Sequence, residues 1–151
     1  MDLIIVDQNN TFAQSLRKYF FTSSKFKNII VFRTLKELLS NLLPQKGILL
    51  YELSEINEND VEKVTSLNSN LIVVALSDVI DNPKNSNIIE KGVSAIISKT
   101  DKLEKISEQI DLIIEGKRIL SKEIVENLKI RSDKNKTNKM SINRIVRNLF
   151  F

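Results

Sequence analysis

Residues 47–53 read Gly47-Ile48-Leu49-Leu50-Tyr51-Glu52-Leu53. Four large apolar or aromatic side chains stand in succession and a carboxylate closes the run. Nothing polar alternates with them, as expected of a strand buried on both faces of a parallel sheet. Similar short runs stand at 3–6, 29–32, 71–76 and 95–97. Between the runs lie amphipathic stretches. Phe12, Leu16 and Phe20 recur every fourth residue, and Leu35, Leu38, Leu39 and Leu42 form a second stripe. Val61, Val64 and Leu67 follow Asn59-Asp60, which reads as a helix cap, and Ile88-Ile89 precede the stop signal Lys91-Gly92. Leu103, Ile106, Ile110, Ile113 and Ile114 run at helical spacing to Gly116. A strand followed by a helix, five times over with short links, predicts a parallel sheet covered by helices on both faces.

In such a sheet the functional crevice lies at the carboxyl ends of the strands. The residues there are Asp7 and Gln8 after the first run, Glu52 after the third, Ser77 after the fourth and Lys99 after the fifth. Two carboxylates, an amide, a hydroxyl and an ammonium are thus directed to one sheet edge. Any one of them is ordinary where a chain leaves the core; the convergent set is a candidate site.

Composition removes several chemistries. The 151 residues contain neither Cys nor His, so disulfides, thiol nucleophiles, Cys-ligated metals and the commonest general base are all excluded. Three glycines cannot build a glycine-rich phosphate cradle, and the absence of Trp argues against a base-stacking surface. No apolar run reaches membrane-spanning length, and the N-terminal residues lack the basic region of a signal peptide. The expectation is a cytoplasmic protein with no membrane contact. The net charge of +4 is unevenly distributed. Residues 129–147 carry seven basic side chains against Asp133 alone, a net +6, which leaves −2 on the rest.

The order and spacing of these segments resemble the receiver domain of bacterial two-component response regulators, most closely the NarL/FixJ subfamily. Leu3-Ile4-Ile5-Val6-Asp7-Gln8-Asn9 resembles the opening strand and acidic pair, with Gln8 in place of the second aspartate. Glu52 stands where the family has its phospho-accepting aspartate. Ser77 stands at the Ser/Thr position, 22 residues before Lys99, the usual separation. Gly92-Val93-Ser94-Ala95-Ile96-Ile97-Ser98-Lys99 resembles the segment ending in the lysine, and Gly116-Lys117-Arg118-Ile119-Leu120-Ser121 the subfamily's sequence after the last helix. The resemblance covers residues 1–130. It implies an α/β, flavodoxin-like (CheY-like) fold: a doubly wound, five-stranded parallel sheet with helices on both faces, here with a C-terminal helical tail. The expected divisions are a receiver-like domain at 1–116, a connecting helix at 117–130, a linker at 131–139 and a short helical tail at 140–151.

The resemblance also implies a mechanism. In the family three carboxylates hold Mg²⁺, the acceptor aspartate attacks a phosphoryl group, and the lysine and metal neutralise the transferring oxygens. The hydroxyl then binds the phosphoryl group and switches the opposite face. This chain departs at the positions that matter. Glu52 moves the carboxylate by roughly 1.5 Å, a displacement that can cost about 10²-fold in rate. Gln8 removes a charge, so that Asp7, Glu52 and Lys99 together carry −1. The expectation is a Mg²⁺ site at Asp7 that is weak or absent, no other cofactor, no small-molecule substrate and no enzymatic activity. Two readings of Glu52 remain: a permanent mimic of the phosphorylated state reaching toward Ser77 and Lys99, or a structural partner of Lys99. At the family's switch position stands Ile96, which has no aromatic rotamer to turn.

Subfamily members continue into a LuxR-type helix-turn-helix DNA-binding domain, and residues 140–150 resemble only its first helix. Ile142, Ile145, Val146 and Leu149 would form an apolar stripe that a lone helix cannot bury by itself. Two functions follow. The first is an atypical receiver module that acts in signalling or transcription control through protein partners, including a second copy of itself, without phosphorylation. The alternative is a DNA-binding regulator or its truncated form, whose Lys134, Lys136, Lys139, Arg144 and Arg147 touch phosphates without reading sequence.

Overall fold

The computed structural model describes residues 1–55, 58–67, 70–79, 85–134 and 149–150. Five strands carry the fold: β1 (Asp2–Val6), β2 (Ile29–Phe32), β3 (Gly47–Glu52), β4 (Leu71–Ser77) and β5 (Ala95–Ser98). The helices between them are α1 (Asn10–Ser23), α2 (Leu35–Leu39), α3 (Glu58–Leu67) and α4 (Asn85–Glu90), and α5 (Leu103–Ile114) follows β5. Strand order is β2-β1-β3-β4-β5, every pair parallel.

Each strand splits its apolar side chains between two cores, as the two-residue period of a strand requires. Leu3, Ile5, Ile48, Leu50, Val74, Leu76, Ala95 and Ile97 pack against α1 and α5 through Leu16, Phe20, Ile106 and Ile110. On the other side Ile4, Val6, Leu49, Tyr51, Val73, Ala75 and Ile96 meet α2, α3 and α4 through Leu38, Val61, Val64, Ile88 and Ile89. Burial on both faces is why the central runs lack polar alternation. The edge strand β2 is half-buried throughout.

The structure corrects several expectations. The sheet has seven strands, because β6 (Arg118–Ile119) pairs with β5 and β7 (Leu149–Phe150) pairs with β6, both parallel. The connecting segment at 117–130 therefore begins with a strand. A sixth helix, α6 (Lys122–Lys134), then runs into the first four residues of the expected linker. Val125 and Leu128 enter a core, and Arg131, within the extension, donates to Asn87 of α4. Leu149, expected in a helical tail, lies in β7, where pairing with Arg118 satisfies its backbone at the sheet edge. The rest of the expected tail, 140–148 and Phe151, lies outside the described residues.

Helix α2 ends at Leu39, and Leu42, assigned to its stripe, is fully exposed. The Ser40 hydroxyl donates to the Lys36 carbonyl at 2.8 Å and the Asn41 amide to the Glu37 carbonyl at 2.7 Å. Side chains that bond the preceding turn and a proline at position 44 stop the helix. Helix α3 starts at Glu58, one residue before the expected cap. At the end of α4, Gly92 adopts φ +110°, a conformation that other residues rarely take. No described helix is long and apolar enough to cross a membrane.

Candidate functional site

The strand order reverses at β1, whose neighbours are β2 and β3. Asp7 leaves the end of β1 and Glu52 closes β3, so both carboxylates sit at the switch point of the sheet. Both are buried, 2% and 6% exposed. Lys99 follows β5, two strands from β3, and its backbone is fixed by donation from its amide to the Ser77 carbonyl at 2.9 Å. Its side chain crosses the mouth of β4 to reach both acids. The ammonium lies 2.8 Å from Asp7 Oδ2 and donates to Glu52 Oε2.

The outer oxygens of the two acids are held by backbone. The Asn9 amide donates to Asp7 Oδ1 at 2.7 Å, and the Ser54 amide to Glu52 Oε1 at 3.3 Å. The Phe12 ring closes a further side, with the Lys99 ammonium 4.8 Å from its centroid. Burial works against the charge of Lys99. The contacts with Asp7 and Glu52 and the attraction of both carboxylates outweigh it, and the pKa is raised above the ordinary lysine value.

Not every expected residue joins this cluster. Ser77 sits at the end of β4, where its hydroxyl donates to the Val79 carbonyl at 2.9 Å and accepts from the Val79 amide at 3.1 Å. It is committed to its own turn. Gln8 is exposed and lines a cleft of about 490 Å³ together with Thr34, Lys36, Tyr51, Asp60 and Lys63. Ile96 is 5% exposed, in the core shared with α4 and α6. Lys134 is exposed at the end of α6; Lys136, Lys139, Arg144 and Arg147 lie outside the described residues. Two contributors went unread in the sequence. Phe12 was legible only as part of a helical stripe. Asn9 carries a local signal, since its side chain also caps α1 by accepting from the Phe12 amide at 3.1 Å.

The Mg²⁺ that the resemblance implies can be tested against these donors. An octahedral cation needs about six oxygens near 2.0–2.1 Å. Here one oxygen of each carboxylate faces the Lys99 ammonium, and the amide that replaces the third acid lines a different cleft. Among the described residues no three acids are grouped to hold a metal ion. The residues do not fit the cation.

No protein-family model matches the chain, and no curated protein matches it in sequence. Solved structures do. The isolated REC domain of RcsB from Salmonella enterica serovar Typhimurium, in its apo form, matches with a TM-score of 0.74 at 17% identity, over 85% of this chain and 98% of that one. A response regulator from Thermotoga maritima gives 0.67 at 19%, over 76% and 97%. A LuxR family DNA-binding response regulator from Silicibacter pomeroyi gives 0.65 at 15%, over 81% and 98%. The chain has the fold of response regulator receiver domains. At these identities the likeness speaks for the fold alone.

Proposed function

We propose that this chain is an atypical receiver module, non-enzymatic and independent of phosphorylation, that regulates by contact with protein partners, a second copy of itself included. One observation carries the reading: the Lys99 ammonium is bound by Asp7 and Glu52 together, inside a pocket closed by Phe12. A carboxylate already paired with an ammonium is a poor nucleophile. Of the two readings of Glu52, the geometry favours the structural partner, because the Ser77 hydroxyl is held by Val79. The neighbours' names add that this fold is used in response regulators, one of them a DNA-binding protein of the LuxR family. The net +6 between residues 129 and 147 supports a second reading, in which this segment touches nucleic acid phosphates.

The test is incubation of the full chain with Mg²⁺ and a small phosphodonor such as acetyl phosphate, followed by intact mass. The expected result is an unchanged mass. A stoichiometric phosphoryl adduct would overturn the proposal.

A further inference from the structure

The cleft beside Gln8, about 490 Å³, is bounded by three parts of the fold. Gln8 stands just beyond β1, Thr34, Lys36 and Leu39 belong to α2 and its cap, and Asp60 and Lys63 belong to α3. Its volume falls among those of small-molecule sites, about 300–1,000 Å³. Its polar lining is rich in donors. Among the described residues the Gln8 amide makes no hydrogen bond, and the exposed Lys36 ammonium has no carboxylate partner. The Thr34 hydroxyl accepts from the Glu37 amide at 3.2 Å as the cap of α2, and its own proton goes to no acceptor among these residues. Lys63 adds a second ammonium. It stands 4.0 Å from Asp60 with its side chain 66% exposed, a geometry in which an ion pair holds little.

Two cations against one carboxylate leave the lining at a net +1, which a monoanion neutralises and a dianion reverses. The cleft also has an apolar wall on α2, where Leu39 is 42% exposed and Leu35 half-buried. Donors without acceptors, one excess positive charge and an apolar wall together describe the complement of a small amphipathic anion. We propose that the cleft between α2 and α3 binds a small monocarboxylate with an apolar body. The carboxylate is met by the Lys36 and Lys63 ammoniums, with the Gln8 amide and the Thr34 hydroxyl as further donors. The body rests on Leu35 and Leu39. The inference rests on the lining of this cleft and not on the reading of the ion-paired site, so either can fail without the other.

Phenylacetate is the probe, followed in the amide spectrum of the full chain. It should shift Gln8, Leu35, Leu39 and Lys63 saturably, with half-saturation below about 10 mM. Ser107 and Asp111 of α5, on the other side of the sheet, should stay in place. Phenylacetamide keeps the shape without the charge, and acetate keeps the charge without the ring. Each should bind weaker than phenylacetate by a factor on the order of ten or more. Lys36→Gln and Lys63→Gln, both at exposed positions, should each raise the Kd for phenylacetate on the order of tenfold. No saturable shift by about 10 mM phenylacetate, or shifts that lie away from the cleft, would overturn the site. Phenylacetamide binding as well as phenylacetate, or a lysine variant binding like the wild type, would overturn the recognition of the carboxylate. Acetate binding as well as phenylacetate would overturn the apolar body.

Discussion

Among the described residues Lys99 is the cation that the buried Asp7 and Glu52 share, so its removal takes this counter-charge from both. Breaking a buried pair by deleting one partner costs about 3–5 kcal/mol. Lys99→Met should therefore lower the unfolding free energy in urea at neutral pH by about 3 kcal/mol or more. The pH dependence has a definite sign. Because the folded-state pKa of Lys99 is raised, its contribution is fully present below the ordinary lysine value of about 10.4 and is lost as pH rises through the higher folded value. Thermal melts between about pH 8 and 11.5 should show this alkaline loss in the wild type and not in Lys99→Met. At this scale the sequence was informative about identity and less so about contact. Asp7, Glu52 and Lys99 were legible because each follows an apolar run, and such runs end at one edge of a parallel sheet. Gln8 and Ser77 shared that signal, but Gln8 lines a neighbouring cleft and Ser77 is bonded to Val79. Adjacent rotamers decide this, and spacing does not encode them. Phe12 fits a helical stripe equally well whether or not its ring meets a cation.

The strands were the most legible elements, since burial on both faces writes itself as uninterrupted apolar runs. The helices between the strands were placed correctly but bounded less well, because their ends depend on side-chain bonds such as those of Ser40 and Asn41. The last elements were the least legible. β6 and β7 have two residues each, too few for any period to show, and the burial of α6 rests on Val125 and Leu128. One glycine governs how closely the two site-bearing strands approach. A Cβ built on Gly47 would lie 2.7 Å from the Asp2 carbonyl oxygen, a backbone atom that cannot turn aside. Gly47→Ala should force β1 and β3 apart and cost about 1–3 kcal/mol, in the range of overpacked cores. Urea denaturation measures the cost. The amide resonances of Asn9 and Ser54, which bond the two carboxylates, should shift with it; a Gly47→Ala chain of wild-type stability would show that the strands have slack.

Across the whole molecule, one design runs from the site to the far side of β5. At the carboxyl edge the ammonium of Lys99 joins Asp7 and Glu52; on the strand before it Ile96 belongs to the core that also holds Ile88 and Ile89 of α4 and Val125 and Leu128 of α6. The chain has the fold of response regulator receiver domains, and the proposed reading is that Asp7, Glu52 and Lys99, tied to one another, do not respond to a phosphoryl group. That claim is tested most directly by following the amide spectrum of the full chain during addition of Mg²⁺ and then beryllofluoride, beside the Glu52→Asp variant. Wild-type resonances near Asp7, Ser77 and Lys99 should not move at either step, whatever the variant does. A saturable wild-type response at those three residues would contradict it and restore an ordinary phosphorylation switch.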